Sequence, residues 1–355
     1  MPALDFAGIA KRFGALEVLR DLDLTVEDGE LVTLLGPSGS GKTTALRIAA
    51  GLDGPDAGRV RIGGNEVTSI APAERDVAMV FQGPSLFPHL NVRANIGFGL
   101  AARGRRGEDL RVAVEEAAAL AGCEELLART PDQLSGGESQ RVALARGLAR
   151  RAGVFLMDEP LSSLDAPVRA ALRTEIRRVQ RTIGGTMLYV THDQDEAMLL
   201  GDRVAVLVDG SVRQIGTPDV VYAAPVDRPV AAFVGTPPIT LLPCAADGGT
   251  LVAGPFRVPA EGAREATEIG VRPEDVRLIA PEGPSDAVVG RVVRVATTGS
   301  DRFATVAAEG VELLARFGPT VDVREDSVVH IASRPVRAHL FAADGRRLST
   351  VEARR

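Results

Sequence analysis

The octapeptide Gly36-Pro37-Ser38-Gly39-Ser40-Gly41-Lys42-Thr43 decides how the chain is read. It fits the phosphate-binding loop pattern GxxxxGK[ST], and it stands in the context that gives the pattern meaning. Before it, Leu31-Val32-Thr33-Leu34-Leu35 is a short apolar run without helical period, which predicts a buried parallel strand. After it, Thr43 to Ala50 has helical composition and stops at Gly51, a residue suited to a helix C-cap. Glycines let successive backbone N–H groups turn toward phosphate oxygens, and the helix adds the positive end of its dipole. In that setting Lys42 reaches the β- and γ-phosphates of a nucleotide, and the Thr43 hydroxyl ligates Mg²⁺.

Two further stretches extend this chemistry. Val154-Phe155-Leu156-Met157-Asp158-Glu159 is an apolar strand ending in two carboxylates. Asp158 suits the Mg²⁺ shell, and Glu159 is placed to orient or deprotonate an attacking water. Leu134-Ser135-Gly136-Gly137-Glu138 precedes Val142, Ala145, Leu148 and Ala149 at helical spacing, so the serine and glycines fall at a helix N-terminus. Ser135 can cap that helix and still help to bind an anion. Two anion sites for one nucleotide need an explanation.

Outward from these motifs, residues 3–27 read as short alternating strands, and Arg59 to Val67 as a hairpin turning at Gly63-Gly64. Val77 to Phe81 is another buried strand. From about Arg93 to Arg151 the sequence becomes Ala-, Leu-, Glu- and Arg-rich with helical period, which predicts a helical insertion. Strands return at Val154–Met157, Thr186–Val190, Arg203–Val208 and Ser211–Ile215, so strands and helices alternate around a parallel sheet. The pattern breaks near Val234-Gly235-Thr236-Pro237-Pro238. Beyond it, short β-like runs from Leu251 to Ile331 punctuated by Gly, Pro and Asp predict a small antiparallel barrel.

Bulk properties agree with two domains. The chain has 355 residues, 45% hydrophobic and 25% charged, with a net charge of −6. Its basic residues are dispersed, without the stripe expected of a nucleic-acid surface, so no nucleic acid partner is expected. Cys123 and Cys244 form no CxxC or Cys/His cluster, which argues against a disulfide framework or a zinc site. Met1-Pro2-Ala3-Leu4-Asp5 does not read as a secretory signal, and no apolar stretch approaches the ~20 residues needed to cross a bilayer.

Taken in order, the motifs resemble those of the ABC transporter ATPases, across nearly all of residues 1–235. Gly36–Thr43 matches that family's Walker A, Leu134–Glu138 its signature and Val154–Glu159 its Walker B. Gln82 matches the Q-loop, Ser163-Leu164-Asp165 the D-loop and His192 the switch histidine. The resemblance implies an α/β P-loop NTPase with a RecA-like core and a helical subdomain at about 93–151. A small all-β OB-like domain would follow at 236–355. It implies ATP and Mg²⁺ as cofactors, with Phe13, Gly36, Ser38, Gly39, Gly41, Lys42, Thr43, Thr44 and Asp158 at the nucleotide. Thr43, Gln82 and Asp158 would hold the metal, and Glu159, His192 and Gln82 would act in catalysis. A head-to-tail homodimer would bring Ser135, Gly136 and Gly137 of one copy to the nucleotide of the other, which explains the second anion site. Phe13 stands where the family stacks an adenine on an aromatic ring, usually tyrosine; a core phenylalanine is the alternative.

The resemblance also implies partners: two integral-membrane permease subunits and, indirectly, a periplasmic or lipid-anchored solute-binding protein, with the ATPase on the cytoplasmic face of the membrane. Pro84-Ser85-Leu86-Phe87-Pro88-His89 looks like the patch where a permease helix docks, with Leu86 and Phe87 expected to be exposed. Gly270-Val271-Arg272-Pro273-Glu274-Asp275 and His339 to Gly345 are similar to the tails of carbohydrate, polyamine and ferric-iron importers. Phe233 to Pro243 leans toward the sugar and glycerol-phosphate branch, whereas Phe87-Pro88-His89 is worded more like the polyamine and iron branches. Sugar or glycerol-3-phosphate import is the first expectation and polyamine or iron import the alternative. A non-transport ATPase of the DNA-repair or translation kind would carry tandem ATPase domains or long coiled coils, which this chain lacks. OB-like barrels also bind oligonucleotides, but the tail has no aromatic and basic stripe.

Overall fold

A computed structural model describes residues 3–260, 262–279, 287–299, 301–318 and 323–352. Met1 and Pro2 of the N-terminal segment quoted above lie outside these. The chain divides into two compact units, Met1–Pro218 and Asp219–Arg355.

The first unit runs β1 (Leu4–Phe13), β2 (Leu16–Val26), β3 (Leu31–Leu35), α1 (Lys42–Ala50), β4 (Ala57–Ile62), β5 (Asn65–Glu66) and β6 (Val77–Val80). It continues through α2 (Val92–Ala102), α3 (Gly107–Leu120), α4 (Gly136–Ala149), β7 (Val154–Asp158), α5 (Ala166–Ile183), β8 (Thr186–Thr191), α6 (Gln194–Leu200), β9 (Arg203–Val208) and β10 (Ser211–Gly216). Six strands form the central sheet in the order β10-β9-β3-β8-β7-β6. All its pairings are parallel except the antiparallel edge of β10 on β9. A second sheet, β2-β1-β4-β5, is antiparallel.

Every residue of β3, β7 and β8 is buried, which is why these strands read as unbroken apolar runs. The two-residue period of a strand splits them between two cores. Val32, Leu34, Leu156, Leu188 and Val190 pack with β1, β2 and α1 on one face. Leu31, Phe155, Met157, Met187 and Tyr189 pack with α2, α3, α4 and α5 on the other. The expected helical insertion is present as α2, α3 and α4. The anticipated short strands of residues 3–27 are instead two long ones, kept in one sheet by register shifts within β1.

The second unit contains α7 (Pro218–Ala223), which begins at the boundary, and α8 (Arg228–Phe233). Then follow β11 (Thr240–Pro243), β12 (Ala245–Asp247), β13 (Thr250–Ala253), β14 (Phe256–Pro259), β15 (Glu268–Val271), β16 (Leu278–Ile279) and β17 (Val288–Thr298). The last five are β18 (Asp301–Ala308), β19 (Val311–Phe317), β20 (Val328–Ile331), β21 (Arg337–Phe341) and β22 (Arg347–Glu352). Among the described residues these strands form antiparallel sheets β11-β15-β21-β22, β12-β13-β14 and β16-β20-β17-β18-β19.

The boundary falls earlier than the expected 235/236 division, and the reason is Arg272. The residue is only 2% exposed, and its guanidinium donates to the carbonyls of Val234 (2.7 Å) and Tyr222 (3.0 Å) and lies 3.8 Å from the centre of the Tyr222 ring. Those bonds tie residues 222–234 into the β-rich unit.

Candidate active site

The glycine-rich loop leaves the end of β3 and enters α1 at its first residue, Lys42. Gly41 caps the helix with φ 103°, a conformation only glycine adopts without strain. Gly36 lies so close to β9 that a Cβ there would stand 2.2 Å from the Leu207 carbonyl oxygen. The loop therefore presents its backbone outward with little freedom to move inward. Lys42 is 5% exposed, and its ammonium donates to the carbonyls of Gly36 (2.8 Å) and Pro37 (2.9 Å). Burial lowers its pKa, while Glu159 and Asp158 pull the other way. The cation is held by groups that a stronger acceptor would displace.

The two carboxylates at the end of β7 have different surroundings. Asp158 is buried and accepts a hydrogen bond from the Thr43 hydroxyl at 3.0 Å. Burial raises its pKa, opposed by that hydrogen bond. Glu159 has a left-handed backbone, φ 42°, fixed by its N–H bond to the Val190 carbonyl (3.0 Å). This conformation costs about 1–3 kcal/mol for a non-glycine residue and turns the side chain toward the cleft. There its Oε2 lies 2.8 Å from Nδ1 of His192. Gln82 Nε2 donates to the Ser162 hydroxyl at 3.4 Å, and that hydroxyl donates to the Glu159 carbonyl at 3.0 Å. Sequence reasoning missed Ser162; its position beside Ser163-Leu164-Asp165 was the available signal.

These groups border one cleft of about 630 Å³, lined by Phe13, Ser38, Gly39, Gly41, Lys42, Thr43, Thr44, Gln82, Glu159 and His192, with Leu16 and Val18 besides. That size is ordinary for a small-ligand site. Gly36 and Asp158 stand behind the lining, Gly36 through the Lys42 ammonium and Asp158 through Thr43. Phe13 is 51% exposed, so the core alternative is set aside, and Lys11 lies over its ring at 5.3 Å. Among the described residues no three His, Cys, Asp or Glu side chains converge as a metal cluster. The hard-oxygen pair of Thr43 and Asp158, with Gln82 at the cleft, fits a cation whose shell is completed by phosphate and water.

Ser135, Gly136 and Gly137 are not part of this cleft. Ser135 caps α4: its hydroxyl accepts from Glu138 N–H at 3.3 Å, and the Glu138 carboxylate accepts from Ser135 N–H at 2.8 Å. Gly137 lies against α5, where a Cβ would meet Val168 at 2.7 Å. Ser135 and Gly136 are exposed at the helix end, available to a second molecule.

The loop after Gln82 differs from expectation, since Leu86 and Phe87 are half-buried rather than exposed. Phe87 packs on Phe98 with ring centres 4.4 Å apart, and its backbone is clamped by Asn95 and its neighbours by Arg146. Phe81 and Phe98 are the rings that remain open to solvent.

Comparison with known proteins places these features in a lineage. The ABC transporter profile matches residues 19–162 and the TOBE domain profile residues 269–341. The sulfoquinovosyl glycerol transport ATP-binding protein of Agrobacterium fabrum is 41% identical over 351 residues, covering 97% of this chain and 98% of that protein. An sn-glycerol-3-phosphate import ATP-binding protein of Chromohalobacter salexigens is 42% identical over 359 residues, covering 98% of this chain and 96% of its own length. Among solved structures, a dimeric post-hydrolysis ATP-binding cassette bound to ADP and Pi superposes with a TM-score of 0.55 at 30% identity. It covers 61% of this chain and 98% of itself.

Proposed function

Because the chain belongs to the ABC transporter family of ATP-binding proteins, we propose that it hydrolyses ATP to drive import of a sugar or a glycerol phosphate. The observation that carries this reading is the meeting of Lys42, Thr43, Gln82, Glu159 and His192 on one cleft. Bound ATP supplies the phosphoanhydride to be cleaved. Lys42 exchanges its bonds to the Gly36 and Pro37 carbonyls for phosphate oxygens, and the N–H groups of the loop through Ser38, Gly39, Gly41 and Thr44 cradle them. Thr43, Asp158 and Gln82 would hold Mg²⁺ through oxygen atoms, and the ion would neutralise charge on the phosphates. Glu159 orients or deprotonates water, and His192, in contact with it, keeps the carboxylate aimed. Phe13 offers a ring face to adenine.

The exposed end of α4 supports a head-to-tail dimer in which Ser135, Gly136 and Gly137 complete the partner's site. A closed dimer would favour one conformation of two membrane permeases, and hydrolysis would release it. No helix among the described residues is long and apolar enough to cross a membrane. The importer reading itself, carried by the likeness to import ATP-binding proteins, puts the chain at the cytoplasmic face with a solute-binding protein acting outside. The wording of Phe87-Pro88-His89 favours a second solute reading, polyamine or ferric iron.

Glu159→Gln is the direct test. Turnover should fall by about 10²–10⁴-fold while ATP binding and ATP-dependent dimerisation persist. Near wild-type turnover removes Glu159 from catalysis. For the solute, deletion of the gene should abolish uptake of a sugar or glycerol-3-phosphate, restored by wild type and not by Glu159→Gln. Loss of polyamine or iron uptake instead would overturn the solute assignment and keep the motor.

A further inference from the structure

The β-rich unit contains a cavity of about 600 Å³ that takes no part in the chemistry above. Three arginines reach it from separate elements: Arg257 on β14, Arg277 just before β16, and Arg334 after β20. Several arginines of this unit are neutralised by a nearby carboxylate, as in Arg228–Glu268, Arg316–Asp301 and Arg346–Glu265. Arg277 and Arg334 are not: both are exposed and have no ion pair to any described residue. The one carboxylate among the described residues of the cavity wall, Glu352, is engaged by Arg337 through Nε at 3.0 Å and Nη2 at 2.9 Å. Arg257 is held in place by the carbonyls of Gly254 (2.6 Å) and Phe256 (3.1 Å) and pairs with Glu309 at 3.2 Å.

The remaining wall adds hydroxyls and a carbon-facing floor. Ser349 and Thr350 border the cavity on β22. Thr350 accepts a hydrogen bond from Arg347 at 2.8 Å and stands 3.0 Å from Nδ1 of buried His339. Burial first, then Arg272, Arg347 and Arg337, push the His339 pKa down to about 3, so the imidazole adds no charge while its surroundings stay cationic. Val258, Pro335 and Ala338 supply the apolar part of the lining. The chain carries a net charge of −6, so uncompensated positive charge converging on a concavity is a local arrangement and not a property of the whole surface.

We propose that this cavity is a binding site for a small phosphate ester, a phosphate group carried on a short polar carbon skeleton. Guanidinium forks match phosphate oxygens in pairs, which ammonium groups do not. The cavity is far larger than a phosphate ion and partly apolar, so a carbon-bearing ligand fills it where inorganic phosphate leaves it hydrated. Among the described residues no aromatic ring lines it, and base stacking is therefore not on offer there for a nucleic acid. The site rests on no part of the transport reading.

Calorimetric titration of the full-length chain with sn-glycerol-3-phosphate, glucose-6-phosphate, inorganic phosphate and glycerol tests this. At least one ester should bind with 1:1 stoichiometry, more weakly as salt is raised, and more tightly than inorganic phosphate; glycerol should give no heat. Binding should survive Lys42→Ala, which disables the nucleotide loop. It should weaken about tenfold or more in Arg277→Ala/Arg334→Ala, and less in Arg277→Lys/Arg334→Lys, with ATP turnover unchanged in both. Both positions are exposed, so folding is not at stake. Silence with both esters, loss of binding in Lys42→Ala, or unchanged binding in the double alanine variant overturns the proposal. Equal affinity for inorganic phosphate overturns the assignment to an ester.

Discussion

Lys42 and Arg272 are both buried cations held by a pair of backbone carbonyls, one in each unit of the chain. Burial lowers the pKa of each. Their surroundings separate them. Lys42 borders an open cleft with Glu159 and has Asp158 close behind, so its carbonyl bonds can be exchanged for those of a ligand. Arg272 lines neither the nucleotide cleft nor the arginine-lined cavity; its Tyr222 and Val234 contacts close on themselves, and the Tyr222 hydroxyl bonds the neighbouring Glu274. A buried, carbonyl-bonded cation is thus neither functional nor structural by its burial. Access to an exchangeable partner decides.

That contrast is open to measurement. Lys42→Ala should reduce ATP turnover by on the order of 10³-fold, the cost of removing a charge aimed at a developing anion. Its thermal midpoint should change little, because the loop backbone is fixed by Gly36 and Gly41 without it. Arg272→Met should do the opposite. Two carbonyls lose their charged donor, and the unfolding midpoint of the β-rich unit should fall by the equivalent of about 2–4 kcal/mol, read by calorimetry. Turnover per folded molecule should hold. If Arg272→Met lost activity without losing stability, the distinction between the two cations would fail.

A smaller effect sharpens the point from the proton side. His339, buried near Arg272, has its pKa lowered from 6.5 to about 3. Below pH 6.5 the unfolded chain takes up a proton that the folded chain refuses until about pH 3, so stability is lost as pH falls through that window. Asp275, raised mainly by burial from 3.8 to about 6, acts in the other direction: its contribution to stability rises as pH falls from 6 toward 3.8. His339→Asn should remove the first effect alone. Between pH 6 and 4.5 its midpoint should rise relative to wild type, by at most about 1.4 kcal/mol per pH unit. Parallel pH profiles would mean that His339 is not held neutral.

The parallel core and its loop were readable from sequence because each carries a local signature: uniformly apolar β3, β7 and β8, and glycines where φ turns positive. Gly270–Asp275 was readable only as a likeness. That Arg272 reaches back to Tyr222 and Val234 is a long-range contact without sequence periodicity, which is why the domain boundary was placed too late. Helices α7 and α8, six residues each, are too short for a 3.6-residue period to register. β22, half-buried along most of its length, has no clean alternation. Leu86 and Phe87 looked exposed because nothing in their own segment reveals Phe98 or Asn95. At the cleft, residue types and order pointed to side chains that share its lining, while the Gln82–Ser162–Glu159 chain needed coordinates.

The left-handed backbone at Glu159 has a consequence for how such a chain can change. Asparagine and glycine occupy that conformation with less strain than glutamate does. A screen that rewarded heat resistance alone would therefore be drawn toward replacing Glu159, and its sturdiest survivors would be motors that no longer turn.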